Sequence, residues 1–247
     1  MTTFVNTPFG ALEGTEQDGV YRFLGVPFAE KPLGELRFRA PQMVRPWTET
    51  RQATGYEKDP MQANLVLGPE HYSEDCLYLN LWVPETTAKK LPVMVWVPGG
   101  AFATGGSGAV DPEGPSIYDC QQLAKDGGCI VVSISYRLNV FGFLNLSQFS
   151  SRFDDNIGMR DIIMALRWVQ EAIASFGGDP ENVTLVGESA GGEAISALLL
   201  IDEAKPYFHK AIIESNCFGS FYTQEEEREI CELYLQYAGL TADKAEG

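Results

Sequence analysis

The sequence predicts an α/β fold, a mostly parallel central sheet flanked by helices, and three observations predict it. Four short runs, Val93 to Val97, Ile130 to Ile134, Val183 to Val186 and Ala211 to Ile213, are nearly continuous in apolar and β-branched residues, as buried parallel strands are. Between the second and third, Met159, Ile162, Ile163, Leu166, Val169 and Ile173 recur at three- and four-residue spacing, the apolar stripe of a helix lying on a sheet. Strand-like and helix-like stretches therefore alternate, which is the signature of this class.

The first sixty residues hold short β-like pieces, Val20 to Leu24 among them, broken by Gly and Pro; they read as an edge meander with surface loops. The last helix is signed at both ends. Thr223 and Glu226 have capping-box spacing, Ile230, Leu233, Tyr234 and Tyr237 form an apolar stripe, and Gly239 can take the left-handed position that closes a helix. No internal repeat or low-complexity linker interrupts the chain, so residues 1–247 are expected to form a single, partial domain. Ending soon after the run Ala211 to Ile213 leaves a sheet edge. An uncovered apolar edge is expected to self-associate or to pair with a C-terminal partner chain.

Composition narrows the function classes. The 247 residues are 45% hydrophobic, enough for one substantial core. With 34 acidic residues against 18 basic ones, the net charge of −16 repels phosphate backbones and anionic lipid, so nucleic acid is not an expected partner. No apolar run has the length of a signal sequence or of a membrane span, which points to a soluble, cytoplasmic protein. Cys76, Cys120, Cys129, Cys217 and Cys231 are odd in number and show no Cys-x-x-Cys spacing, so neither a full disulfide framework nor a zinc site is expected. No nucleotide motif appears and no cofactor is expected.

The sharpest feature is Gly187-Glu188-Ser189-Ala190-Gly191, placed directly after the apolar run VTLV and before the helix-like GGEAISALLL. The five-residue pattern alone is weak; its setting between strand and helix is what makes Ser189 a candidate nucleophile. A sharp strand-to-helix turn strains the serine backbone, and small neighbours let the chain pass close while the hydroxyl stands exposed. At a helix N-terminus the Ala190 amide is free to stabilise a developing oxyanion. A second group, Pro98-Gly99-Gly100-Ala101-Phe102, follows the run PVMVWV, and small residues there would let backbone amides approach a carbonyl oxygen.

The runs EDCLYLNLWVP (74–84), PVMVWVPGGAF (92–102), YRLNVFGFL (136–144), DIIMALRWVQEAIASFGGDPENVTLVGESAGG (161–192) and FHKAIIES (208–215), with FLGVPFAEKPLGELRF (23–38), resemble the type-B carboxylesterase and cholinesterase family in order and spacing. That resemblance implies the N-terminal half of an α/β-hydrolase fold that stops before its last strands. It implies hydrolysis of a small-molecule carboxylic ester, with Ser189 as acylated nucleophile and the amides of Gly100, Ala101 and Ala190 as oxyanion donors. The family's third loop glycine is Ala101 here, and Pro98 stands where His or Tyr is common. The usual upstream disulfide partner of Cys76 would fall near Pro60.

In this fold the triad follows in the order Ser, Asp or Glu, His, and the acid and histidine are expected beyond Gly247. A compact triad of Ser189, Asp202 or Glu203, and His209 satisfies the order but not the geometry, since His209 enters its strand at the end opposite the active edge. His71 matches no base of the family, and Glu188, adjacent to Ser189, cannot orient a histidine. The leading expectation is thus a serine esterase that needs a second part. A catalytically impaired short protein or a binding module is the other reading.

Overall fold

A computed structural model of the chain describes all residues except 64–67, 109–117, 217–218, 220 and 241–247. Strands β1 (Thr2–Thr7), β2 (Gly10–Gln17) and β3 (Val20–Pro27) form an antiparallel meander, the edge the sequence predicts. The β2–β3 link is Asp18-Gly19, both at positive φ (51° and 79°), a two-residue turn whose twist matches the strands it joins.

Next come β4 (Tyr78–Pro84), β5 (Leu91–Val97), helix α1 (Gln121–Gly127) and β6 (Ile130–Ile134). Helices α2 (Asn139–Phe143) and α3 (Ile157–Ala172) precede β7 (Gly178–Glu188), and α4 (Ala190–Leu198) separates β7 from β8 (Lys210–Glu214). The chain then forms α5 (Gln224–Tyr237). The strands lie in the order β1-β2-β3-β4-β6-β5-β7-β8, with Arg51–Gln52 pairing on β2.

The parallel part of the sheet is its second half, β6-β5-β7-β8, while β1 to β4 and the β4–β6 pair are antiparallel. The sheet is therefore more evenly mixed than the run pattern suggests. Among the described residues, α-helices separate consecutive strands only from β5 onward, and parallel pairing needs such crossovers.

Alternate residues of the central strands feed opposite faces. Leu79, Leu81, Ile130 and Val132 join the large core with Trp168, Ile162 and Leu166 of α3, whereas Trp82 and Val131 pack with Val20 and Leu24 against Ala124 of α1. Each fully buried Leu or Ile contributes about 1.5–3 kcal/mol through area removed from water. The predicted stripe of α3 is buried apart from the partly exposed Met159. Asp161, on the same helix, is buried as well, paired with Arg137 at 2.6 Å.

Two expectations need correction. The run Ala211 to Ile213 lies in β8, every residue of which is exposed, because β7 covers only one of its sides. In α5 the capping box of Thr223 and Glu226 forms as expected, and Leu240 N–H reaches Leu235 O at 2.8 Å beyond a left-handed Gly239. The docked face is different, however. Cys231 and Leu235, with Tyr234 beside them, pack on Leu144 and Leu146, and Glu227 on that face takes the Asn145 amide at 2.7 Å. Ile230, Leu233 and Tyr237 point outward, at 44%, 53% and 85% exposure. One residue turns a helix by about 100°, so a row displaced by one position selects a different face.

Among the described residues no helix is long and apolar enough to cross a membrane. Cys76, Cys120, Cys129 and Cys231 are free, and Cys217 lies outside the described residues.

Candidate active site

β7 ends at Glu188 and α4 begins at Ala190, so Ser189 makes the whole turn, at φ 56° and ψ −123°. A non-glycine residue in that region carries about 1–3 kcal/mol of strain and persists only where its surroundings hold it. They do. Ser189 N–H donates to Glu214 O at the end of β8 (2.9 Å), and Ser189 O accepts the first helical bond, from Glu193 N–H (2.9 Å).

The glycines make this possible by close approach. A Cβ on Gly191 would run into Val97 O at the end of β5, one on Gly187 would lie 2.7 Å from the Gly191 carbonyl carbon, and one on Gly192 would lie 2.9 Å from Glu214 O. The elbow is therefore wedged between the C-terminal ends of β5 and β8.

The loop after β5 is brought against it. A Cβ on Gly99 would stand 2.6 Å from Glu188 O and 3.4 Å from Ser189 Cβ. Gly100 (φ 113°), Ala101 (55°) and Phe102 (56°) then follow in succession at positive φ, which costs about 1–2 kcal/mol for each of the two side-chain-bearing residues. Gly100 O accepts from Ala103 N–H (3.0 Å) and Thr104 N–H (2.9 Å), which closes the turn. Among the described residues, the amides of Gly100, Ala101 and Ala190 donate to no protein acceptor, and the Ser189 hydroxyl, half-buried, has no hydrogen-bond partner. Sequence and fold together thus place three free N–H groups and a strained serine at one edge of the sheet.

The supports of this loop were not legible in the sequence. Tyr136 O–H donates to Pro98 O (2.7 Å). Asn139 N–H donates to Phe102 O (2.8 Å), and its Nδ2 donates to Ala103 O (2.8 Å) and Met61 O (3.2 Å). Gln62 grips Gly105 from both sides, Nε2 to its carbonyl (2.7 Å) and Oε1 from its N–H (2.9 Å). Asn139 sits at φ 54°, a conformation Asn tolerates better than most residues but one that only the structure reveals. Beyond Gly105, the buried Asp59 accepts from Gly108 N–H (3.1 Å), and burial pushes its carboxyl up to about 6. Burial, and after it the Glu188 carboxylate, pushes the Tyr118 phenol up.

No base joins Ser189 from the residues weighed in the sequence. His209 N–H donates to Val183 O (2.9 Å), Val183 N–H donates to His209 Nδ1 (3.3 Å), and His209 Nε2 lies 3.9 Å from Glu181. Val183 is six residues before Ser189, so about 20 Å of strand separates that histidine from the nucleophile. Asp202 pairs with Lys205 at the surface, and Glu203 is exposed. His71 lies 3.6 Å from Glu70, and the Glu188 side chain is exposed.

The chain and its fold are similar to those of known proteins. A family model described as the carboxylesterase family matches residues 1–246. The para-nitrobenzyl esterase of Bacillus subtilis (strain 168) is 43% identical over 241 residues, which is 96% of this chain and 48% of that protein. Carboxylesterase 5A of Homo sapiens is 42% identical over 240 residues, 91% of this chain and 40% of its own length. A solved PNB esterase superposes with a TM-score of 0.90 at 42% identity, covering 99% of this chain and 50% of that one. The chain thus spans about half the length of the relatives it matches, and within that span it carries the α/β-hydrolase fold. Fold and sequence agree across residues 1–246, and the chain belongs to the carboxylesterase family.

Proposed function

We propose that this chain carries the nucleophile and the oxyanion hole of a serine carboxylic ester hydrolase. The observation that carries the reading is a strained Ser189 set against the loop that starts at Gly99, with the amides of Gly100, Ala101 and Ala190 donating to no acceptor among the described residues. In this mechanism Ser189 Oγ attacks the ester carbonyl carbon and its proton passes to a base. The carbonyl oxygen becomes an oxyanion held by the three amides, aided by the N-terminal dipole of α4. Collapse of the intermediate expels the alcohol and leaves an acyl-serine, which water hydrolyses by the same route.

The acid and the histidine come from residues outside those described here. A further segment or a partner chain that pairs along β8 would bring them, since Ser189 N–H is already tied to the end of that strand. The exposed Ile212 and Ile213 on β8, with Leu199 and Leu200 after α4, offer an apolar surface for such pairing or for self-association. The net charge of −16 disfavours a nucleic-acid role, and the free thiols of the four cysteines among the described residues suit a reducing, cytoplasmic setting.

The test is labelling by a fluorophosphonate probe, with Ser189→Ala as control and mass mapping of the adduct, followed by turnover of a para-nitrobenzyl ester. Rapid labelling confined to Ser189 supports the reading, with the base supplied by this chain or by one that copurifies. Folded protein that fails to label refutes an activated nucleophile in this chain by itself and favours the impaired or binding reading.

A further inference from the structure

We propose that Asn139 is a positioning residue for the oxyanion loop, which its side-chain amide holds in the donor conformation; this rests on the reading of Gly100 and Ala101 as donors.

The loop has a mechanical problem. Ala101 and Phe102 are both left-handed at φ 55° and 56° without glycine's freedom, so their peptide planes relax unless they are tied at both ends. The inner tie is the turn itself, with Gly100 O accepting from Ala103 and Thr104. The outer tie is Asn139. Its backbone N–H takes Phe102 O, and its Nδ2 takes Ala103 O, so two successive carbonyls just after the Ala101 donor are fixed by one residue. Nδ2 also donates to Met61 O (3.2 Å), which joins the loop to the segment whose neighbour, Gln62, grips Gly105.

The anchor is itself rigid. Asn139 opens α2, whose Phe143 packs on the Phe102 ring at 4.7 Å between centroids. Two residues earlier, Arg137 is bound through its backbone N–H (3.0 Å) and its guanidinium to the buried Asp161. A donor amide displaced by a fraction of an ångström loses much of its hold on a developing oxyanion, because such bonds fall off steeply with distance and angle.

The chemistry of the clamp separates it from simple packing. Both of its side-chain targets are carbonyl oxygens, so it needs an N–H donor at that position. Asp has nearly the shape of Asn and tolerates the same φ, but it presents acceptors to acceptors. Gly keeps the φ and the backbone N–H and removes only the side-chain bonds.

Wild type, Asn139→Gly and Asn139→Asp are compared in the full chain by amide hydrogen exchange across residues 99–105, thermal midpoint and fluorophosphonate labelling rate. Where turnover is present, kcat and KM are measured as well. Both variants are expected to exchange faster across the loop and to label at least about 10-fold more slowly, since one lost oxyanion donor costs 10²–10³ in rate. Loss is expected in kcat with KM little changed, and Asp should be no better than Gly. Unchanged exchange in both variants overturns the proposal, as does faster exchange with undiminished labelling, or an Asn139→Asp variant that behaves as wild type. If wild-type Ser189 fails to label even when the segment or partner chain that brings the histidine is present, while exchange still rises in both variants, the esterase reading falls and the clamp on the loop stands.

Discussion

Replacing Asp161 by Asn should destabilise the fold by about 3–5 kcal/mol, the magnitude found when one member of a buried ion pair is removed and its partner is left uncompensated. Asp161 is fully buried, and the Arg137 side chain is only 4% exposed. The carboxylate receives three donors, Arg137 N–H at 3.0 Å, Nε at 2.8 Å and Nη2 at 2.6 Å. Asn keeps the shape but turns one acceptor into a donor that faces the guanidinium, and the charge on Arg137 then loses its ion-pair partner in the core. With total stability on the order of 5–15 kcal/mol, a large share would be lost. At about 2–4 °C per kcal/mol for a chain of this size, the thermal midpoint should fall by roughly 6–20 °C. Urea unfolding followed by far-UV circular dichroism and Trp fluorescence measures the loss. The double replacement Arg137→Met with Asp161→Leu should recover much of it, because it removes both desolvation penalties together. A loss under about 1 kcal/mol for Asp161→Asn, or a double variant no better than the single one, would refute the reasoning.

Asp59→Asn should stabilise the protein near neutral pH. The folded carboxyl is raised by burial from 3.8 to about 6, so the folded state holds a proton that the unfolded chain has already released in that interval. Stability therefore drops as pH climbs from about 4 to about 6 and stays lower above it, by about 2–3 kcal/mol at order of magnitude. The variant should lack this drop while its Oδ1 still accepts Gly108 N–H; unfolding at pH 4, 5, 6 and 7 measures it, and parallel wild-type and variant profiles would contradict it. On the edge strand, Ile212→Lys should reduce self-association in light scattering and lower binding of any chain that completes the sheet, since Ile212 is 43% exposed on β8. An unchanged mass distribution would show that this edge is not the contact.

The sequence by itself determined the elements and the chemical character of the edge where they meet. Apolar runs placed β5, β6 and β7, the three- and four-residue stripe placed α3, and Thr223, Glu226 and Gly239 bounded α5. These are local properties, set by side-chain periodicity and backbone preference within a few residues. Gly187, Gly191 and the run Gly99–Gly100 also announced close approach, because only glycine leaves room for it.

What passes near them was decided by tertiary structure. The choice of the Cys231–Leu235 face of α5 over Ile230 and Leu233 depended on where Leu144 and Leu146 lie, and no helical period contains that information. The Arg137–Asp161 pair spans 24 residues, and the ties from Asn139 to Ala103 and Met61 span 36 and 78. Such partners are ordinary polar residues in the sequence; only packing removes water from around them and leaves each the other's counterion or acceptor. The position of His209 shows the same division from the other side. Chain order alone admits it to a triad, and the parallel register of β7 and β8, Thr184 opposite Lys210, puts it at the far end of the sheet from Ser189.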